Sequence, residues 1–341
     1  MVTTDMPPGL DLDALGAWFA AEIPDAGDQL QATLIAGGKS NLTYVVTDGA
    51  QEWIVRRPPL GHVLATAHDM TREYRVMSAL QDTGVPVPRT YSLCGAASVL
   101  GADFYVMERC SGTPYRRAAE LTPLGPERTR AISERLVDTL ATLHAVDPAS
   151  VGLGDFGRPQ GFLARQVGRW KKQLDASWSR DLPAADELHR LLSVNVPAES
   201  AVGIVHGDYR LDNVLVDEAD QVTAVLDWEM ATLGDPLTDL ALMLVYFRLG
   251  AAGISDLSDV STAPGFLDER QVIEQYSRGS DRDLSGFGFY LGLAAFKLAA
   301  ILEGIHYRHL NGQTVGAGFD RIGDAIDPLL DAGLSAVKGY R

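Results

Sequence analysis

Between Thr33 and Arg57 apolar and polar positions alternate, in TLIAGGKSNLTYVVTDGAQEWIVRR, and the interruptions GGKSN and TDGAQ have the composition of turns. The pattern predicts three strands, the second turn closing a hairpin. Pro58 and Pro59 end the third, because proline cannot donate to a strand ladder. Ahead of them Leu10, Leu15, Trp18 and Phe19 share one side of an opening helix. A helical period then runs from about Thr66 to Leu80, and VPVPRTYSLCGAASVLGADFYVMERCSG reads as two further strands. From Pro123 onward the period is helical, with Ile132, Leu136, Leu140 and Leu143 on one face of the first long helix. Strand-like runs return only in VGIVHGDYRLDNVLVD and AVLDWE, where VLVDEADQVTAVLDW suggests a hairpin turning at EADQ. Residues 251–265 read as a polar surface loop.

This succession defines an α+β class, a small mostly-β part followed by a larger mostly-α part, with the change near Ser111 to Pro114. A length of 341 residues suits two such lobes, taken as 1–110 and 111–341. The late run GFGFYLGLAAFKLAAILEGI is broken by Lys297 and Glu303, short of the roughly 18 uninterrupted apolar residues of a membrane span. A buried core helix is expected there. The N-terminal stretch lacks the basic start and apolar run of a signal peptide, and Cys94 and Cys110 form no disulfide or metal-site pattern, so the expected compartment is the cytoplasm. A net charge of -16 opposes attraction to nucleic acid or anionic lipid, neither of which is expected as a partner. It is compatible with a cationic ligand and equally with plain solubility.

Candidate chemistry concentrates where apolar runs are broken by polar residues. His206-Gly207-Asp208 is followed five residues on by Asn213, and Asp227 ends the next strand-like run 14 residues later. Asp and Asn are common turn formers. That spacing, however, is the Asp-to-Asn spacing of a kinase catalytic loop, which needs a carboxylate to take a hydroxyl proton and oxygen ligands for Mg²⁺.

HGDYRLDN, LDWE and GDPLTDLA together resemble the aminoglycoside phosphotransferase-like (choline kinase-type) family, whose members share a two-lobed fold with protein kinases. GGKSNLTY, VRRPP, GLGDFGRPQGFLARQVGRWKKQ and ILEGIHYRHLNGQT resemble, more narrowly, bacterial phosphotransferases similar to the kinase domain fused to some acyl-CoA dehydrogenases. The resemblance implies an ATP- and Mg²⁺-dependent kinase acting on a hydroxyl of a small molecule, with Asp208 as base, His206 bracing the loop, and Asn213 and Asp227 as metal ligands. It places Gly37, Gly38, Ser40 and Asn41 over the nucleotide phosphates and Met107, Glu108 and Cys110 at the adenine. Where the family has a lysine on the third strand this chain has Arg56, which alternates with Ile54; Glu73 would be its helix partner. Asp235 and Asp239 would be structural, the first accepting bonds from loop amides, or both could cap a helix start. Arg165, Arg169, Glu229 and Glu303 are the acceptor-binding candidates.

Two other patterns are set aside. GLGDFG, Gly152 to Gly157, follows a helix rather than a strand, which argues against a dinucleotide site, and its Asp155-Phe156-Gly157 precedes the loop that a kinase metal motif should follow. His306 and His309 lack a third metal ligand. Too little chain separates Asp227 from Leu237 for a protein-kinase activation segment, which disfavours a protein substrate. The acceptor is expected to be a hydroxyacyl-type metabolite or an aminoglycoside-like compound. A nucleotide-binding regulatory module without catalysis, suggested by Arg56 alone, is the alternative.

Overall fold

The computed structural model describes residues 7–35, 41–61, 69–197, 202–253, 258–314, 319 and 321–339. Gly37, Gly38 and Ser40 lie outside these, as does the start of the helix expected from Thr66. The chain divides into two compact units. One holds residues up to Ser111 together with Thr223–Ala231, and the other holds Gly112–Val222 and Thr232–Arg341.

The smaller unit opens with α1 (Leu12–Glu22), capped by Asp11, whose carboxylate accepts from the Ala14 N–H at 3.0 Å. One antiparallel sheet follows, built from β1 (Gln31–Leu34), β2 (Leu42–Thr47), β3 (Glu52–Arg57), β4 (Thr90–Cys94) and β5 (Phe104–Glu108) in the order β1-β2-β3-β5-β4. Helix α2 (Met70–Leu80) separates β3 from β4, and the short α3 (Ala97–Leu100) separates β4 from β5. The TDGAQ turn is closed by Asp48, which accepts from the N–H groups of Ala50 and Gln51 at 2.8 and 2.7 Å.

The two-residue period of β3 sorts its side chains. Trp53 and Val55 join Tyr44, Phe104 and Val106 in the core that includes Leu15 and Phe19 of α1. Phe19 meets Trp53 edge-on at 5.5 Å, and each such buried side chain contributes on the order of 1.5–3 kcal/mol. Arg57 belongs to this side too, donating to the carbonyls of Gly9 and Leu100. Ile54 and Arg56 take the opposite side, paired across the ladder with Met107 and Tyr105. Adjacent arginines therefore do different things: Arg57 closes the core and Arg56 enters the site.

The larger unit is helical. Its elements run α4 (Ala118–Leu121), α5 (Pro126–Ala145), α6 (Phe162–Ala176), α7 (Pro183–Val194), β6 (Gly203–Val205), β7 (Val214–Val216), β8 (Val222–Val225, which leads into the smaller unit), β9 (Thr232–Gly234), α8 (Leu237–Ala251), α9 (Glu269–Arg278), α10 (Phe287–Leu310) and α11 (Ile326–Gly339). Ile132, Leu136, Leu140 and Leu143 are all buried on α5, as their spacing predicts. Helix α10 has the length and apolar content of a membrane span, yet 83% of its most apolar window is buried inside the protein. It is a core helix. At Gly292 a Cβ would stand 2.3 Å from Val337, so the approach of α11 to α10 requires glycine there.

Within 251–265, of which 254–257 lie outside the described residues, residues 258–265 correct the expectation of a polar surface loop. Val260 and Ala263 are buried, the Ser258 hydroxyl donates to the Arg116 carbonyl at 3.0 Å, and Asp259 accepts from the Ala118 N–H at 2.7 Å. Polar composition there reflects side chains satisfying another segment's backbone, which a local reading takes for solvent exposure.

Candidate active site

In the larger unit β6 pairs antiparallel with β9, and the chain leaves β6 at His206 into the loop that ends in a 3-10 turn at Leu211–Asn213. This loop is held from below by Asp239 of α8. The buried Asp239 carboxylate accepts from the N–H groups of His206 and Gly207 at 2.6 and 2.8 Å. Burial alone would push this carboxyl up, but the hydrogen bond from His144 and the loop amides hold it below the usual carboxylate range. Asp239, not Asp235, is thus the acceptor of the loop amides. Asp235 instead accepts from the Leu237 N–H at 3.1 Å and the Tyr290 hydroxyl at 2.7 Å, a helix-start role.

Gly207 takes a left-handed backbone, φ 89°, and its carbonyl accepts from Lys297 Nζ at 2.7 Å. The His206 side chain is fully buried and its Nδ1 accepts from the Asp208 N–H at 3.2 Å, so it shapes the loop from inside. Asp208 keeps a third of its side chain exposed, and both its oxygens are engaged. Tyr246 of α8 donates to Oδ1 at 3.2 Å, and Asn213 Nδ2 donates to Oδ2 at 3.2 Å and to the Asp208 carbonyl at 2.9 Å. With Nδ2 so used, the amide oxygen of Asn213 accepts no hydrogen bond among the described residues. Arg210, beside Asp208, pairs with the buried Asp212 and lies over the Tyr246 ring at 4.8 Å.

In the smaller unit the segment after β8 carries Asp227 in a left-handed conformation, φ 65°. Arg56 joins it to α2: Nε lies 3.0 Å from Glu73 Oε2, and Nη2 lies 2.6 Å from Asp227 Oδ1. Burial works against the charge of Arg56, but Glu73 and Asp227 more than offset it and hold the guanidinium firmly protonated. Burial raises the Glu73 carboxyl, with Arg56 and the Tyr105 hydroxyl, 2.9 Å away, opposing it. Asn41 Nδ2 donates to Glu73 at 3.1 Å and to Glu229 at 3.3 Å. Glu229, an acceptor candidate by sequence, therefore sits among the nucleotide candidates. Met107 is buried, the Glu108 N–H is already donated to the Arg89 carbonyl at 2.7 Å, and burial pushes the half-buried Cys110 thiol up to about 12.

Three acceptor candidates separate. Glu303 is wholly buried, accepting from the Ser179 hydroxyl at 2.5 Å with Arg180 nearby, which corrects its expected place at a ligand. Arg165 is spent on the carbonyls of Arg158 and Gln160. Arg169 is exposed, its guanidinium carbon 5.0 Å from the centre of the Trp170 ring. Of the patterns set aside, the glycine of Asp155-Phe156-Gly157 serves packing, since a Cβ on Gly157 would stand 2.7 Å from the Leu233 nitrogen. His306 lies against Gly323, and no three His, Cys, Asp or Glu side chains gather as a metal site among the described residues. The sequence reading missed Tyr246 and Lys297; the second had a signal, a lone cation in an apolar helical run, but it was read only as an interruption.

A two-part kinase-like fold carrying these groups defines a phosphotransferase. Residues 31–269 match the phosphotransferase enzyme family, and the chain belongs to it. Acyl-CoA dehydrogenase family member 11 of Rattus norvegicus is 35% identical over 334 residues, 95% of this chain and 43% of that protein, so the chain spans less than half the length of such relatives. A candidate aminoglycoside phosphotransferase from Ralstonia eutropha JMP134 is 34% identical, with a TM-score of 0.85 over 96% of this chain and 98% of that one. The macrolide 2'-phosphotransferase of Brachybacterium faecium, 20% identical with a TM-score of 0.57 over 96% of this chain and 98% of that one, shares the fold. The chain is a phosphotransferase of this family.

Proposed function

We propose that the chain transfers the γ-phosphate of ATP to a hydroxyl of a small molecule, a hydroxyacyl-type metabolite or an aminoglycoside-like compound, with Asp208 as general base. The observation that carries this reading is the state of Asp208: a partly exposed carboxylate that accepts hydrogen bonds from Tyr246 and Asn213 on its two oxygens, with Arg210 Nε 3.7 Å from Oδ2, on a loop whose backbone is itself clamped by Asp239. A base so placed takes the acceptor's proton as its oxygen bonds to the γ-phosphorus and the bond from that phosphorus to the leaving oxygen of ADP breaks. Positioning and neutralisation of charge supply most of the rate. His206 and Tyr246 position the base without touching reacting atoms.

Arg56 and Asn41 would face the phosphates, with Gly37, Gly38 and Ser40 beside them, and Met107, Glu108 and Cys110 the adenine. An ATP analogue together with hygromycin B occupies an aminoglycoside phosphotransferase of the same fold, 15% identical, which is consistent with nucleotide binding here. The donor set suits Mg²⁺, which takes one or two protein oxygens and fills its shell with phosphate and water. Asn213 offers its amide oxygen and Asp227 a carboxylate a third exposed. When bound, the ion would neutralise charge on the transferring phosphate.

Asp208→Asn tests the assignment. ATP consumption with a turned-over acceptor should fall by about 10²–10⁴, the usual worth of general-base catalysis, while calorimetric nucleotide affinity stays within about threefold. Unchanged turnover would sink the assignment, and nucleotide binding with no transfer to any hydroxyl compound would favour a regulatory module.

A further inference from the structure

Lys297 interrupts the apolar run of α10, and among the described residues no carboxylate forms an ion pair with it. Among the described residues its one hydrogen bond is to the Gly207 carbonyl at 2.7 Å, and its ammonium also lies 5.5 Å from the centre of the Trp170 ring. Burial pulls its amino group down, Arg169 works in the same direction, and Asp208 and Asp239 oppose them. An ammonium has three donors, so two have no acceptor among the described residues. On the same indole lies the exposed Arg169, which has no hydrogen bond and no ion pair among the described residues.

Two neighbouring cations without an ion pair among the described residues run against the composition of this chain, which has 45 acidic residues against 29 basic ones. Elsewhere in the same unit arginines are paired: Arg128 with Asp220, Arg190 with Glu187, Arg248 with Glu269. Like charges at one indole raise each other's energy, and an anion bound there would relieve both. The position of the pair matters as much as its charge, since Lys297 holds the carbonyl immediately before the proposed base.

We infer that the hydroxyl acceptor carries an anionic group, a carboxylate or a phosphate, that docks on Lys297 and Arg169 while its hydroxyl faces Asp208. The inference rests on the reading of Asp208 as base, and it selects an anionic acceptor over a polycationic one. Trp170 would cover the stem between the two ends with an apolar surface.

ATP consumption by the full chain is measured with short- and medium-chain hydroxy acids, with polyol and sugar phosphates, with the neutral amides and parent alcohols of each, and with amino alcohols and aminoglycosides. Turnover is expected only among the anionic compounds, the acid and phosphate arms telling which anion is read. Lys297→Met should then raise the acceptor KM by more than about tenfold, with the KM for ATP moving less than about threefold, and Lys297→Arg should recover much of the loss. Arg169→Ala, on an exposed helix face, should raise the acceptor KM by about threefold, and it answers the question even where the buried variant does not fold. Turnover of neutral or cationic compounds alone overturns the inference, as does an acceptor KM unmoved in both variants. ATP hydrolysis that is lost in Asp208→Asn but stimulated by no anionic compound also overturns it, leaving the phosphotransferase reading intact. ATP use indifferent to Asp208 would instead remove the reading on which the inference stands.

Discussion

Glu73 and Asp239 are both about 1% exposed, one in each unit, and their carboxyl groups shift in opposite directions. Glu73 faces an arginine, a tyrosine hydroxyl and an asparagine amide, yet burial prevails and its carboxyl is raised. Asp239 faces two backbone N–H groups and a histidine, and its carboxyl is lowered. The hydrogen bond from His144 and backbone amides that are already rigid stabilise this buried anion, whereas a guanidinium must itself be desolvated to do so. The Asp239 arrangement suits a permanent clamp, and under the proposed function the Glu73 arrangement would let Arg56 exchange partners for phosphate.

The strongest way to break this contrast is Asp239→Ala. It strands the His206 and Gly207 N–H groups in the core and should destabilise the larger unit by about 3–5 kcal/mol, measured by denaturant unfolding. A loss under about 1 kcal/mol would mean the clamp is ornamental. Next comes Arg56→Lys, which replaces a fork touching both Glu73 and Asp227 with a point charge. Steady-state kcat/KM for ATP should drop by about tenfold, and an unchanged value would show that one contact suffices.

Acid unfolding sharpens the comparison by sign. The folded carboxyl of Asp239 lies below its ordinary value of 3.8, so its stabilisation is complete above that pH and is lost as the pH falls through the folded value. The folded carboxyl of Glu73 lies above its ordinary 4.5, so its ionisation costs stability above the folded value and protonation relieves that cost as the pH falls. Asp239→Asn should therefore flatten the acid loss of stability, and Glu73→Gln should steepen it. The smallest effect belongs to the exposed Arg190 and Glu187 pair on α7, where Glu187→Ala should leave the denaturant midpoint unchanged within error.

Much of the architecture could be read locally because it depends on local periods. The alternation of β2 and β3, the helical spacing along α5 and the buried character of α10 each follow from which neighbours share a face. The spacing of Asp208 and Asn213 was legible for the same reason, since a bond between side chain and backbone five residues apart needs only a tight loop. Partners far along the chain were not legible. Tyr246 reaches Asp208 across 38 residues and Lys297 reaches Gly207 across 90, and no period encodes such meetings. The exchange of roles between Asp235 and Asp239 is of this kind: both suit a helix start, and only the packing of α8 under β6 decides which carboxylate meets the loop.

The smaller unit also contains Thr223–Ala231, a segment that supplies Asp227 and the buried Trp228, and whose Val225 N–H is donated to the Pro86 carbonyl at 2.8 Å. During synthesis the first 111 residues must therefore wait for their last piece. At ordinary elongation rates of about 5–20 residues per second that interval is on the order of ten seconds, far longer than a small sheet needs to form. Over that time the nascent sheet exists without the carboxylate that Arg56 pairs with, so the Arg56–Asp227 pair can form only after most of the chain's length has been made.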